Sequence, residues 1–122
     1  MPSAATLEAF ITAVEGGEHV KAIEDFYTEN ASMRENQAEP RKERATLVAH
    51  ESAVLARTAS VVSTCVRPVF VNGDHVVIRW IFRFTGKDGL TLRIEELAWQ
   101  RWEGERIAQE EFFYDPAQMK PI

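Results

Sequence analysis

Hydrophobic positions divide the chain into a helical first half and a strand-rich second half. The first helix is indicated by apolar residues at the i, i+3, i+4 and i+7 positions, namely Leu7, Phe10, Ile11 and Val14. Thr6 can cap its start, and Gly16 and Gly17 end it. A second helix follows, with Ile23 and Tyr27 toward the core, and runs to about Asn30. A third runs from about Arg44 to Thr58.

Between the second and third helices, Ala31 to Asn36 is a short strand candidate, and the charged segment around Pro40 is predicted to be a loop. From Ser60 onward the pattern is that of strands. Residues of alternating character from His75 to Thr85 follow the turn at Asn72-Gly73. A longer alternating region, Thr91 to Tyr114, turns at Glu103-Gly104-Glu105-Arg106 and is predicted to form a hairpin.

Three helices and a mainly antiparallel sheet predict a two-layer α+β domain, in which the helices cover one apolar face of the sheet. At 122 residues and 13.9 kDa, residues 1–122 are expected to form one domain. A twisted sheet wrapped around helices leaves a conical cavity at its wider end.

One face of the predicted hairpin combines apolar and polar side chains, as small-molecule pockets do. Alternation places Glu96, Gln100 and Trp102 on one face of its first strand, because neighbouring side chains point to opposite faces. If Trp102 lies opposite Ile107, the same face continues along the second strand. The predicted residues there are Gln109, Glu111 and Phe113. A one-residue bulge would reverse this assignment on the second strand.

Composition excludes several classes of protein. A net charge of −5 and a pI of about 5.2 argue against binding nucleic acid through its phosphates. The lone Cys65 is expected to be a buried thiol rather than a nucleophile. There is no signal peptide and no long apolar span, so a cytoplasmic protein without a membrane role is expected. No metal-binding, phosphate-binding or dinucleotide motif occurs, so no metal or cofactor is expected.

Two glutamates of the first half are candidate acid–base groups. Glu51 lies in the middle of the apolar stripe of the third helix, so it is at a pocket wall, in a structural ion pair or at the edge of the stripe. Glu35 is predicted to point inward, as Met33 does, which would suit an acid–base group. The alternative is that Glu35 forms an ion pair with Arg34 or Arg41. His50 borders the same helical stripe and could relay a proton, face solvent or pack there.

The three tryptophans are predicted to lie on different faces of the sheet. Trp80 and Trp102 belong to the inward phase and are expected in the core or the pocket wall. Trp99 belongs to the outward phase, together with Arg79, Ile81 and Leu97. An apolar patch that contains an aromatic residue and arginine is typical of a subunit interface. A homodimer through this outer sheet face is therefore expected.

Several segments resemble the NTF2-like superfamily and its SnoaL-like members, which include ketosteroid isomerase, limonene epoxide hydrolase and polyketide cyclases. The matching segments are Asp25 to Ala31, Glu39-Pro40-Arg41, Trp102 to Ile107 and Phe113 to Pro116. The resemblance covers nearly the whole chain. It implies an NTF2-like, cystatin-like cone in which three N-terminal helices pack on a strongly curved, mixed and mainly antiparallel sheet.

The resemblance to ketosteroid isomerase places Glu35 at the position of the catalytic base. The position of the oxyanion tyrosine is occupied by Phe10, and that of the oxyanion aspartate lies near Ala98. Efficient steroid isomerisation is therefore not expected, since each missing donor costs on the order of a hundredfold in rate. The Asp-Arg-Asp site of limonene epoxide hydrolase has no counterpart here either. Polyketide cyclases need only a single acid–base carboxylate in an apolar cavity, and this sequence meets that requirement.

Two functions follow from these observations. The first is acid–base isomerisation or cyclisation of a small hydrophobic carbonyl compound, with Glu35, Glu51 or Glu111 as catalytic carboxylate. The second is a non-catalytic module that binds a small ligand or associates as a dimer. In both, the residues expected to contact the small hydrophobic molecule are Tyr27, His50, Trp80, Glu96, Gln100, Trp102, Gln109 and Phe113.

Overall fold

The computed structural model describes residues 1–122 and has three α-helices and six β-strands. In chain order they are α1 (Ala4–Glu15), α2 (His19–Phe26), β1 (Tyr27–Glu35), β2 (Arg41–Lys42), α3 (Arg44–Ala56), β3 (Thr58–Asn72), β4 (His75–Gly86), β5 (Thr91–Glu103) and β6 (Arg106–Phe113). A short 3₁₀ turn, Pro116–Gln118, follows β6. The architecture is the predicted α+β arrangement of three helices on a mixed sheet.

The ends of the helices differ from the predictions in detail. Ser3, and not Thr6, caps α1: its hydroxyl accepts a hydrogen bond from the Thr6 amide at 3.1 Å. The helix α2 ends at Phe26, so Tyr27 already belongs to a strand. The guanidinium groups of Arg44 and Arg106 both donate to the Tyr27 carbonyl, at 3.1 and 3.0 Å, and fix the start of β1.

The six strands form one sheet in the order β2-β1-β6-β5-β4-β3. All neighbouring pairs are antiparallel except β1 and β6, which are parallel. The short strand β2 lies in the segment that the sequence predicted to be a loop, where Arg41 pairs with Met33 of β1. β2 therefore brings Arg41 to the same end of the sheet as Glu35.

A β-bulge in β6 separates two registers of the β5–β6 hairpin. Trp102 lies opposite Ile107, as predicted, but Arg101 lies opposite Gln109, so Ala108 is the extra residue. Ile107 and Ala108 are consequently both buried. Beyond the bulge every side chain of β6 points to the face opposite the one predicted, because side chains alternate along a strand.

The core lies between the helices and the inner sheet face, which is the face that the helices cover. Phe10 of α1 is its aromatic centre, packing edge-on against Phe26, Tyr27 and Trp102 at centroid distances of 5.6 to 6.2 Å. The predicted phases of β4 and β5 are confirmed, with Ile78 and Ala98 fully buried. None of the helices is long and apolar enough to cross a membrane.

Substitutions of Gly104 test the geometry of the β5–β6 turn. Its φ of 60° lies in the left-handed region, and an added Cβ would meet no atom within 4 Å. Gly104→Ala should therefore cost only backbone strain, about 1–2 kcal/mol of unfolding free energy in urea titrations. Gly104→Asn is the matched control and should cost less, because asparagine tolerates this conformation better. Equal losses for both variants would contradict the assigned turn.

Candidate active site

A cavity of about 620 Å³ lies between the inner sheet face and the helices. Its volume falls within the range of small-molecule sites, roughly 300–1,000 Å³. Sixteen of its 28 lining residues are hydrophobic. The polar minority includes four glutamates, contributed by α3 and three different strands: Glu35, Glu51, Glu96 and Glu110. The cavity therefore combines apolar walls with several carboxyl groups.

The structure divides the sequence-predicted site residues into three groups. Tyr27, Glu35, His50, Glu51, Trp80 and Glu96 line the cavity. Gln100 and Trp102 are fully buried beneath its lining. The remaining three, Gln109, Glu111 and Phe113, lie on the outer face of the sheet.

The prediction that Glu111, Gln109 and Phe113 share the inner face was wrong, because the bulge at Ala108 reverses the phase of β6. Glu111 instead forms an ion pair with Arg34 on the outer face, at 2.6 Å. Gln109 lies opposite the outward Arg101 and donates a long hydrogen bond to Glu111, at 3.4 Å. Phe113 lies opposite Leu97 and is 39% exposed.

The same bulge turns Glu110, which the sequence prediction missed, into the interior. The residue is 2% exposed and lines the cavity. Its carboxyl group accepts hydrogen bonds from the Tyr27 hydroxyl and from Gln100 Nε2, the latter at 2.6 Å. The adjacent apolar residues Ile107 and Ala108 were the one sequence signal for the bulge, since they break the alternation expected of a half-buried strand.

Gln100 and Trp102 hold Glu110 from below. Trp102 Nε1 donates to Gln100 Oε1 at 3.0 Å, and Gln100 Nε2 donates to Glu110 Oε2. Because the indole nitrogen can only donate, the orientation of the Gln100 amide is determined. Gln100 and Trp102 are therefore supports of the carboxyl group and not part of the cavity wall.

Glu35 and Arg41 form a bidentate pair at the cavity. The two terminal nitrogens of Arg41 donate to the two carboxylate oxygens of Glu35, at 2.9 and 2.6 Å. This is one of the two alternatives that the sequence left for Glu35. Both oxygens of the carboxylate are occupied, while Arg41 Nε is buried without a partner. Glu35 is thus a poorer candidate for a base than its position suggested.

Glu51 and Glu96 are the half-buried carboxyl groups that have no hydrogen-bond or ion-pair partner in the chain. Burial raises the pKa of Glu51, against the attraction of Arg41, and the charge of Glu35 adds to the rise. Burial, followed by repulsion from Glu110, Glu35 and Glu51, raises the pKa of Glu96 to about 8. No ion pair holds Glu51, so only its predicted alternative as a pocket-wall residue fits the structure.

Burial also raises the pKa of Glu110, to about 7, although its hydrogen bonds from Tyr27 and Gln100 oppose the shift. The charges of Glu35 and Glu51 add to the increase. Glu96 and Glu110 therefore both titrate near neutrality, and near neutral pH the cavity contains protonated and ionised carboxyl groups side by side. This is the arrangement that general acid–base chemistry requires.

His50 lies at the exposed rim of the cavity, where partial burial and the charge of Arg41 lower its pKa. The tail closes another part of the cavity through Met119 and Pro121. Gln118 anchors it, as its side-chain amide exchanges two hydrogen bonds with the backbone of Glu95, at 2.9 and 3.0 Å.

The positions aligned with the oxyanion donors of ketosteroid isomerase contain no donor. Phe10 is 2% exposed and lines the cavity, and Ala98 is fully buried on the inner face. No cluster of three or more histidine, cysteine or carboxylate side chains has a geometry suited to a metal ion.

Fold and cavity together define a small NTF2-like α+β domain with an acidic, largely apolar interior. The sequence profile of the SnoaL-like domain matches residues 7–110, so the chain belongs to this family. No curated protein matches the chain.

Solved structures share the fold at low sequence identity. An NTF2-like protein of unknown function from Burkholderia pseudomallei superposes with a TM-score of 0.80 at 14% identity, covering 94% of this chain and 92% of the other. A Catenulispora acidiphila protein with a ketosteroid isomerase-like fold, in complex with trimethylamine, superposes with a TM-score of 0.78 at 17% identity. The match covers 95% of this chain and 89% of the other. An LEH-like epoxide hydrolase from M. tuberculosis superposes with a TM-score of 0.78 at 12% identity. The match covers 94% of this chain and 84% of the other.

The raised carboxyl pKa values can be tested by NMR of the glutamate side-chain carboxyl carbons. We expect two titrations with midpoints near 8 and near 7, from Glu96 and Glu110. Glu96→Gln should remove the higher midpoint, and Glu110→Gln the lower. If every carboxyl group titrates below about pH 5.5, well short of these values, the electrostatic description of the cavity is wrong.

The same groups determine how stability depends on pH. Their pKa values are higher in the folded chain than in the unfolded one, so the folded state binds more protons between 4.5 and about 8. The unfolding free energy should therefore fall as pH rises through this window, and fall less steeply in Glu96→Gln.

Proposed function

We propose that the cavity binds a small hydrophobic carbonyl compound and that its glutamates catalyse proton transfer on it, in an isomerase-type or cyclase-type reaction. The observation that carries this proposal is the pair of half-buried carboxyl groups without partners, Glu51 and Glu96, in an apolar cavity. Membership of the SnoaL-like family supports the same class of chemistry.

Glu51 is the base in this proposal. Burial makes its carboxylate more basic, and no arginine or lysine occupies its oxygens. It would remove a proton from the carbon beside the carbonyl group. The electron pair of the broken C–H bond forms a carbon–carbon double bond, and the π electrons of the carbonyl move to its oxygen. In a β,γ-unsaturated carbonyl compound the product is a dienolate, which can take the proton back at its γ carbon. The electron pair on oxygen then re-forms the carbonyl group, the double bond ends between the α and β carbons, and the isomerisation is complete. Proton transfer of this kind contributes roughly a hundredfold to ten-thousandfold in rate.

Glu96 is the acid. With a pKa of about 8 it is mostly protonated at neutral pH, so it can donate to the carbonyl oxygen as charge develops there. Glu35 supports the site indirectly, since its pairing with Arg41 leaves Glu51 unpaired while keeping a positive charge nearby.

The test is deuterium exchange at the acidic carbon of 2-tetralone, a bicyclic ketone, followed by proton NMR in D₂O. We expect exchange well above the buffer rate, with a bell-shaped pH dependence limited by Glu51 on the acid side and by Glu96 near pH 8. Glu51→Gln should reduce the rate by about a hundredfold or more. Glu29→Gln, at an exposed position of β1, is the matched control and should leave it unchanged. Exchange that neither Glu51→Gln nor Glu96→Gln reduces would contradict the proposal.

A second function, association of two copies through the outer sheet face, is favoured by the exposure of apolar side chains there. Leu97 is 46% exposed and lies opposite Phe113, and Phe70 of β3 is 64% exposed and lies opposite Val77. Arg79, Ile81 and Trp99 lie on the same face, with Arg79 paired to Glu95. Burying such a patch against a second copy would remove it from water.

Sedimentation velocity tests this association. We expect a dimer for the unchanged chain and a monomer for Trp99→Ala and for Leu97→Asp. Val71→Asp removes an apolar side chain that is exposed to a similar degree, 45%, near the end of β3, and should leave the dimer intact. A monomeric unchanged chain at micromolar concentration would rule the association out.

A further inference from the structure

The Tyr27–Glu110 pair lies at the base of the cavity and has no role in the reaction described above. Tyr27 is 3% exposed, and its hydroxyl group contacts Glu110 Oε1. Both residues line the cavity. The hydroxyl makes no other hydrogen bond within the chain, so the cavity is the open space that it can turn toward.

The location of the proton on a neutral Glu110 follows from its other partner. Trp102 Nε1 can only donate, so Gln100 must present its Oε1 to the indole and its Nε2 to Glu110 Oε2. An oxygen that accepts from the amide is a poor place for a proton. A protonated Glu110 therefore carries its hydrogen on Oε1, the oxygen that faces Tyr27.

The direction of the Tyr27 hydrogen bond thus depends on the charge of Glu110. When Glu110 is ionised, the hydroxyl donates to its carboxylate. When Glu110 is protonated, the acid donates to the tyrosine oxygen, and the phenolic hydrogen must point elsewhere. We propose that this hydrogen then turns into the cavity and donates to an acceptor oxygen of the ligand, so that Tyr27 recognises a carbonyl group and Glu110 is its positioning residue.

Burial and two neighbouring charges favour the protonated form of Glu110. The titratable groups around it are Tyr27 and Glu35 of β1, Glu51 of α3 and Glu96 of β5. The charges of Glu35 and Glu51 raise the pKa of Glu110, whereas its hydrogen bonds from Tyr27 and Gln100 oppose that rise. Arg41, the nearby cation, is committed to Glu35. A ligand oxygen that accepts from Tyr27 would stabilise the protonated form further, so binding of a carbonyl compound should be accompanied by proton uptake.

This inference rests on the proposed carbonyl ligand but not on catalysis, so it is tested by binding alone. The probes are 2-tetralone and tetralin, the hydrocarbon of matching shape without the oxygen, measured by isothermal titration calorimetry. A Glu96→Met background, whose side chain has no N–H or O–H group, removes the other donor to the carbonyl oxygen. In it, we expect 2-tetralone to bind about three- to tenfold more tightly than tetralin at pH 6, as one hydrogen bond allows. The preference should disappear above about pH 8, where Glu110, with its pKa of about 7, is ionised.

Two variants separate this role from a structural one. Tyr27→Phe should abolish the preference for the ketone at every pH and leave tetralin binding unchanged. Glu110→Gln keeps an acceptor for Gln100 and a permanent N–H donor for Tyr27, so it mimics the protonated acid. It should therefore retain the preference at high pH, where the parent has lost it.

The outcomes decide between the proposals. A ketone preference that survives Tyr27→Phe, or one that Glu110→Gln still loses at high pH, would overturn the role of this pair. Binding with the expected pH dependence but without deuterium exchange would overturn only the catalytic proposal. Absence of ketone binding altogether would overturn both.

Discussion

The extra residue in β6 determines which carboxyl groups the interior contains. Because Ala108 bulges out of the pairing with β5, Glu110 points into the domain and Glu111 points out of it. A regular strand would do the reverse and would place on the inner face the carboxylate that now pairs with Arg34. Trp102, Gln100 and Tyr27 are arranged around Glu110 as this single irregularity requires.

Four glutamates around one cavity destabilise the folded chain electrostatically. An apolar environment favours the neutral form of each group, and each ionised neighbour favours it further. The chain relieves part of this cost by pairing Glu35 with Arg41 and by donating two hydrogen bonds to Glu110. It leaves Glu51 and Glu96 without such relief. A folded chain gains nothing in stability from unpaired carboxyl groups in a cavity, which is why their presence favours a functional explanation.

The sequence predicted those features that depend on periodicity. Glu51 could be placed at the cavity because helical spacing identifies the centre of an apolar stripe, and Glu96 because β5 alternates without interruption. Glu110 could not be placed, since one inserted residue reverses every later side chain and its only trace is a pair of adjacent apolar residues. The pairing of Glu35 with Arg41 was one of two alternatives, and the choice depended on β2, a two-residue strand in a segment rich in charges.

The same charges restrict what the cavity can accept. A ligand carrying a carboxylate or phosphate would meet the carboxyl groups of Glu35 and Glu51, and the guanidinium group of Arg41 is already paired with Glu35. A purely apolar ligand would leave the proton of Glu96 and the hydroxyl hydrogen of Tyr27 without an acceptor, and buried polar groups without partners are costly. A neutral, mostly hydrophobic molecule with an acceptor oxygen satisfies both conditions. Its oxygen gives Glu96 and Tyr27 an acceptor, and its apolar body fits the walls formed by Phe10, Trp80 and their neighbours.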